Sequence, residues 1–184
     1  MNIQQHERIT RIKKLSRCLY LVLTGLQYLI LVLWPLMVFF AVTGTHGELT
    51  FIGGVSLDAA DLTYLQRGLI AVFLSVFFFL TIKVTYHFRQ LISHFARGDI
   101  FNKNAIEHAR KALLHALLFY GFSFVSALIE WVYFYIADQA VDKHIPVIIN
   151  GDLLTGLIFF GLMYILLWAL EIGCDLNEES ELTI

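Results

Sequence analysis

Four long apolar runs without any Asp, Glu, Lys or Arg constrain this chain more than any other feature of its sequence. They are Cys18 to Gly47, Gly68 to Ile82, Ala112 to Ile129 and Leu153 to Leu170. A helix needs roughly 20 mostly apolar residues to cross the hydrocarbon core of a bilayer. The runs therefore predict an all-α membrane protein, a bundle of four transmembrane helices that forms a single integral membrane domain. The expected spans are approximately 16–43, 66–88, 112–137 and 152–173.

The composition agrees with this class. Hydrophobic residues make up 58% of the chain and charged residues 15%, and the mean hydropathy is +0.71. Soluble domains carry about 25% charged residues. The sequence contains no glycine-rich phosphate loop, nucleophile elbow or paired-carboxylate motif. We therefore predict neither an enzyme nor a bound cofactor, and the lipid bilayer is the first expected partner.

The basic residues lie almost entirely on one side of the predicted spans. Eleven of the thirteen Lys and Arg residues either precede the first span or separate the second from the third. The two exceptions are Arg67 and Lys143. By the positive-inside rule the basic side faces the cytoplasm. We therefore expect both termini in the cytoplasm, together with a helical hairpin over residues 87–111 and a tail over residues 174–184.

The segment before the first span, residues 2–17, carries five basic residues around Ile9, Ile12 and Leu15. A basic amphipathic helix of this kind lies on the membrane surface and is attracted to anionic lipid. The same charges act as a topology signal, so they do not require direct binding to nucleic acid.

The loops on the opposite side contain strand-like segments. Two short alternating runs flank Gly53-Gly54 between Glu48 and Asp58, a pattern typical of a β-hairpin. The second loop contains Ile145 to Ile149, in which a proline restricts any strand to a sheet edge. These segments predict a small extracytoplasmic β cap over the bundle.

The connection between spans two and three predicts a helical hairpin that extends beyond the membrane. Gly98 is a typical residue for ending a helix. Asn104, followed three residues later by Glu107, fits an N-cap that starts the next helix. The tip of the hairpin is therefore expected over Gly98 to Lys103.

Several ionisable residues stand in or near the spans. Glu130 is within the third span and Asp138 follows two turns later, so the pair is a candidate polar site for a cation or a proton. The other interpretation places Glu130 at the outer interface among aromatic residues. Lys83 and Glu171 lie near the inner ends of their helices, where they either form a salt bridge or reach water independently.

Four histidines occur on the predicted hairpin, in two pairs that are each seven residues apart. They are His87 and His94, then His108 and His115. Seven-residue spacing is too long for two imidazoles of one helix to share a metal ion, unlike the four-residue spacing of metalloproteases. Antiparallel packing would bring one histidine from each helix together, and we interpret them as polar interface residues rather than a metal site.

Two segments carry a resemblance to a known family. The first runs from Phe95 to Asn104 and contains a Gly-x-x-Phe pattern at Gly98 and Phe101. The second comprises Asp152 to Ile158 and the C-terminal sequence from Gly173 to Ile184. Together with the four spans, they resemble the bacterial membrane family called domain of unknown function 2975. The resemblance implies a multi-pass protein of the bacterial inner membrane, with no known activity and a neighbouring gene for a small helix-turn-helix regulator.

Two functional hypotheses follow. The first is a regulatory or scaffold membrane protein whose hairpin and tail bind a cytoplasmic protein, such as the small DNA-binding regulator that the family analogy suggests. Its candidate partner-binding residues are Gly98, Phe101, Asn104, Glu178, Glu179, Leu182 and Thr183. The alternative is a small transporter or ion-coupled permease component that uses Glu130. Four spans are few for a monomeric transporter, so this alternative requires a homodimer.

Overall fold

Four long helices form nearly all of the computed structural model, which describes residues 3–44, 48–50, 56–98, 102–136 and 151–182. In chain order the elements are helix α1 (Ile3–Thr43), strands β1 (Glu48–Thr50) and β2 (Ser56–Asp58), a short 3-10 turn (Ala59–Asp61), and helices α2 (Tyr64–Arg97), α3 (Lys103–Ile136) and α4 (Gly151–Leu182). Each of the four α-helices is long and apolar enough to cross a membrane. The structure confirms the prediction of an all-α, four-span membrane protein.

The helices pack in the order of the chain. The main contacts join α1 to α2, α2 to α3, and α3 to α4, and the last of these interfaces is the smallest. Because α2 and α4 are not neighbours in this arrangement, a residue of α2 pairs most readily with α1 or α3.

All four helices are longer than a membrane core requires. α1 has 41 residues, α2 and α3 have 34 each, and α4 has 32. At about 1.5 Å per residue these lengths are roughly 50 to 60 Å, whereas the hydrocarbon core is about 30 Å thick. The uncharged runs lie away from the Lys- and Arg-rich side, so much of the excess length extends on that side. We call these helix ends, residues 10–17, 83–97, 103–115 and 171–182, the basic end of the bundle.

The termini of α2 and α3 have clear local causes. Thr63 caps α2, since its hydroxyl accepts from the Gln66 amide at 3.4 Å. Gly98 ends α2 in the left-handed conformation, with φ of 95°, as predicted. The predicted N-cap of α3 is wrong: Asn102 caps the helix by accepting from the amide of Asn104 at 2.8 Å. Asn104 is therefore already inside the first turn of α3.

The segment before the first span is not a separate surface helix, contrary to the prediction. α1 continues without interruption from Ile3 to Thr43 and passes through Pro35. At the basic end, the side chain of Lys13 lies against Gly98, so closely that a Cβ atom on Gly98 would overlap it. The start of α1 therefore runs alongside the tip of the α2–α3 hairpin.

A two-stranded antiparallel sheet connects α1 to α2 at the other end of the bundle. β1 and β2 pair with Glu48 opposite Asp58 and Thr50 opposite Ser56, where the sequence predicts a hairpin. The Gly53-Gly54 turn and the second predicted strand, Ile145 to Ile149, lie outside the described residues.

Arg67 has a structural role at this same end. Its Nη1 donates to the carbonyl oxygens of Val42 at 3.2 Å and Gly44 at 2.5 Å, and its Nε donates to that of Leu62 at 3.2 Å. The last carbonyls of a helix lack partners within the helix, and a cation there also interacts favourably with the helix dipole. Arg67, one of the two basic residues outside the basic end, thus provides hydrogen bonds for carbonyl groups at the C-terminus of α1.

Candidate functional site

The basic end contains the densest packing and the most interhelical polar contacts among the described residues. In α2, no side chain from Tyr64 to Phe79 is buried, whereas Thr85, His87, Ile92 and Ser93 are all buried. The buried residues Ala105 and Ile106 of α3 lie in the same part of the molecule. This concentration makes the basic end the candidate functional site.

Ion pairs hold the end of α4 against the start of α3. Nη2 of Arg110 donates to both carboxylate oxygens of Glu171, at 2.8 and 2.9 Å. One turn of α4 further, Asp175 lies 4.0 Å from Nζ of Lys103. We call these two pairs the α3–α4 clasp. Both hydrogen bonds come from one nitrogen of Arg110 and join groups of opposite charge, which makes them stronger than hydrogen bonds between neutral groups.

A small apolar cluster lies beside the clasp. Ile106 of α3 packs with Leu167 and Cys174 of α4, and the thiol-bearing residue is only 2% exposed. Together with the clasp residues, Ile106 and Cys174 line a groove of about 280 Å³ between the two helices. The groove is apolar at its base and charged at its rim.

The structure does not bring Lys83 and Glu171 together. Nζ of Lys83 instead lies 5.5 Å from the ring centroid of Phe79, a distance at which a cation interacts with an aromatic face. Glu171 pairs with Arg110. The salt bridge considered from the sequence is absent between these two described residues, because α2 and α4 are not packed against each other.

The four histidines of the hairpin form one cluster between α2 and α3, which we call the histidine cluster. Nδ1 of His87 lies 3.1 Å from Nδ1 of His108. The ring of His87 also stacks on His115, with centroids 5.2 Å apart and an interplanar angle of 28°, and His94 lies 6.2 Å from His108 between centroids. The seven-residue spacing thus puts all four rings at one interface, as antiparallel packing of the two helices requires.

Hydrogen bonding restricts the protonation of these rings. One Nδ1 of the His87–His108 pair must donate and the other must accept, so at least one ring is neutral. Nδ1 of His115 donates to the carbonyl oxygen of Lys111 at 2.6 Å, whereas the buried Nδ1 of His94 has no hydrogen-bond partner. Within the part of the chain that the structure describes, no three His, Cys, Asp or Glu side chains are placed to share a metal ion.

The predicted partner-binding residues fall on two segments of the basic end. Gly98 ends α2, and Asn104 and Glu179 are exposed on α3 and α4. Glu178 and Leu182 belong to α4, while Phe101 and Thr183 lie outside the described residues. The tail is thus helical up to Leu182, a feature that its acidic composition did not indicate.

The predicted polar site in the third span is described only in part. Glu130 lies within α3, six residues before the last residue of the helix, Ile136. Asp138 lies outside the described residues. The pairing of these two carboxylates stays a prediction from the sequence.

No curated protein and no solved structure matches the chain. One family model, described as "Protein of unknown function (DUF2975)", matches residues 29–184. This match covers all of α2, α3 and α4 and most of the apolar part of α1. The chain therefore belongs to the DUF2975 family.

Proposed function

We propose that this protein is a membrane-anchored docking protein whose basic end faces the cytoplasm of a bacterium and binds a soluble protein there. The observation that carries the proposal is the α3–α4 clasp, which holds the end of α4 in place beyond the apolar runs. A pre-formed surface reduces the entropy that a partner must overcome on binding.

The position of the clasp supports a surface in water. Glu171 directly follows the last apolar run, and Asp175 and Glu179 lie further along α4 towards its end. On α3, Lys103 and Arg110 precede the apolar run that begins at Ala112. These charged ends belong outside the hydrocarbon, since ionised side chains are costly inside it.

The charge distribution supports the orientation. Eleven of thirteen basic residues belong to the basic side of the chain, which the positive-inside rule assigns to the cytoplasm. Arg67, on the other side, satisfies carbonyl groups at the end of α1. Its position therefore has a structural cause and does not oppose the assignment.

The surface suits a protein partner with charges of both signs. Arg97 and Lys103 are exposed near the hairpin tip, and Asp175 and Glu179 are exposed on the neighbouring helix. Mixed charges around an apolar groove steer the encounter and select among partners more than they raise affinity. A small helix-turn-helix regulator, which the family resemblance implies, is the partner that we propose.

Co-purification from the native membrane in mild detergent tests the proposal. We expect one protein to be recovered in a stoichiometric amount with the wild type. Removal of residues 175–184, or the substitution Arg97→Glu, should lower its recovery at least tenfold. Asp61→Lys is the matched control, because Asp61 is an exposed charge at the opposite end of the bundle, and it should leave recovery unchanged.

Two results would contradict the docking role. One is the absence of any stoichiometric protein from the wild-type preparation. The other is a partner that is recovered equally with the wild type and with both basic-end variants. Loss of the partner with Asp61→Lys alone would place docking at the opposite end.

A further inference from the structure

The histidine cluster is a group of ionisable side chains at the basic end that neither the clasp nor the proposed docking surface uses. His87 is buried, with 9% of its surface exposed. It touches His108 through hydrogen-bonding nitrogens and stacks on His115. An unperturbed histidine changes its charge near pH 6.5, within the range that cells experience.

The contact between the two rings depends on a bare nitrogen. At 3.1 Å, one Nδ1 donates a hydrogen bond and the other accepts it. If both rings were protonated, each Nδ1 would carry a hydrogen, so no acceptor would remain. Two positive charges would also lie in contact, and because His87 is buried and His108 half-buried, water screens their repulsion only in part.

The charged surroundings add to this repulsion. The groups that act most strongly on the two rings all lie on α2 and α3, namely Lys83, His94, Lys111, His115 and Glu107. The single acid among them, Glu107, is bound to Lys111 at 2.5 Å. α1 also packs on α2, and it brings the cation Lys13 to the hairpin tip at Gly98. No unpaired carboxylate in this set is left to balance a second imidazolium.

A metal ion explains the cluster less well. Two Nδ1 atoms 3.1 Å apart suit two ligands of one ion, since zinc–nitrogen bonds are roughly 2.0–2.1 Å long. However, no third donor among the described residues converges on that point. A proton-binding site needs only the contact between the rings of His87 and His108, which the structure shows.

We propose that the histidine cluster is a proton-binding latch, which holds α2 against α3 while the His87–His108 pair carries at most one positive charge and releases the two helices when both rings are protonated. The direction of the pH dependence follows from the hydrogen bond between the two Nδ1 atoms, which needs one unprotonated nitrogen. The latch is complete above the ordinary range of histidine and is lost as the pH falls through it. The latch needs no partner, so its failure would leave the docking role untouched.

Amide hydrogen exchange, followed by mass spectrometry in phosphatidylcholine nanodiscs, tests the latch. After correction for the intrinsic dependence of exchange on pH, residues 85–97 and 103–115 should exchange at least fivefold faster at pH 5.5 than at pH 7.5. The double substitution His87→Asn and His108→Asn keeps an amide near each Nδ1 but cannot be protonated. It should abolish the response, whereas the control His6→Asn, which removes an imidazole from α1, should retain it.

A second measurement uses only the wild-type protein, so it remains valid even if the double variant does not fold. In wild-type protein labelled with ¹⁵N-histidine, the spectrum at pH 7.5 should contain a bare Nδ1 signal that is coupled across the hydrogen bond to a protonated Nδ1, and this coupling should disappear over the same pH range in which exchange accelerates. Equal exchange at both pH values, or a response that persists in the double variant, would overturn the latch. Zinc chloride that slows amide exchange fivefold at pH 7.5 in the wild type, but not in the double variant, would also overturn the latch, because that result would indicate a metal site.

Discussion

The two halves of α2 show how differently one helix packs in two environments. From Tyr64 to Phe79 no side chain is buried, and Val72 is 61% exposed. From Thr85 to Ser93 four side chains are buried, three of which are polar. The first half belongs to an apolar run and the second half to the basic end.

The difference has a physical cause. Lipid tails are as apolar as leucine, so in the membrane no hydrophobic force drives helices to bury apolar side chains against one another. There α2 and α3 meet mainly through aromatic pairs, such as Phe77 with Phe119 at 4.8 Å between centroids. At the basic end, which we propose to lie in water, the hydrophobic effect again favours burial of apolar side chains, and the polar side chains that are buried with them need hydrogen-bond partners. The specific packing therefore lies at the basic end, where we also propose the function.

The strongest test of this comparison is a change at the hairpin tip. Gly98 has φ of 95°, and a side chain there would overlap Lys13. The end of the Lys13 side chain can move aside, so the cost comes from the backbone: a residue with a Cβ atom in this conformation costs about 1–3 kcal/mol, and a β-branched residue is especially unfavourable there. We expect Gly98→Val to lower the free energy of unfolding by about 2–3 kcal/mol, measured by titration with sodium dodecyl sulfate in mixed micelles.

Gly25→Val is the matched control for the tip. An added Cβ atom at Gly25 of α1 meets no atom within 4 Å, so only the small difference in helix propensity remains. If the two valine substitutions had equal effects, the tip would not be a specifically packed element.

A substitution at the α3–α4 interface in the membrane should lower the free energy of unfolding somewhat less than the change at the tip. A Cβ atom on Gly156 would lie 2.7 Å from Cζ of Tyr120, and overpacking of this kind costs about 1–3 kcal/mol. We expect Gly156→Leu to destabilise by about 2 kcal/mol in the same titration. Gly161→Leu, which meets no atom within 4 Å at Cβ, should be close to neutral. Addition of Tyr120→Ala should restore part of the loss at Gly156, and a failure to do so would refute this contact.

The clasp is expected to contribute still less to the free energy of unfolding. Arg110 and Glu171 have side chains 55% and 39% exposed, so water weakens their attraction. A well-oriented exposed pair contributes up to about 1 kcal/mol. Arg110→Ala should therefore cost about 1 kcal/mol, and the exchanged pair Arg110→Glu with Glu171→Arg should recover most of it.

Lys111→Ala is the matched control for the clasp. It breaks an ion pair with Glu107 within α3, and such pairs four residues apart contribute about 0.3–0.5 kcal/mol. If removal of Lys111 were as costly as removal of Arg110, the clasp would have no special role in fixing α4.

The smallest effect is expected in the membrane at Glu130. If function belongs to the basic end, liposomes that contain the wild type or Glu130→Gln should show the same proton and cation flux as empty vesicles. Flux can be followed with a pH-sensitive dye trapped in the vesicles. A wild-type flux that Glu130→Gln abolishes would favour the transporter alternative.

Much of the fold could be predicted because its causes are local in sequence. The four uncharged runs determine four membrane-length helices, and Gly98 ends α2 because glycine adopts the left-handed conformation without strain. The N-cap of α3 was misassigned since Asn102 and Asn104 are both good caps, and local sequence does not discriminate between them. The helical end of α4 was missed because its acidic residues resemble a solvated tail.

The candidate site depends on the spatial order of the helices, which the sequence does not encode locally. A pairing of Lys83 with Glu171 requires contact between α2 and α4, yet Glu171 meets Arg110 on α3. The histidine spacing predicted one face on each helix. Only the register between α2 and α3 shows that His87 and His108 meet through their Nδ1 atoms.

Labelling with a membrane-impermeant maleimide tests the central claim most directly. Single cysteines would replace Arg97 at the basic end, Asp61 at the opposite end and Val72 in the apolar half of α2, in a Cys18→Ser, Cys174→Ala background. We predict that position 97 is labelled only in inverted vesicles, position 61 only in intact cells, and position 72 in neither. Labelling of position 97 in intact cells, or of position 72 in either preparation, would contradict the account.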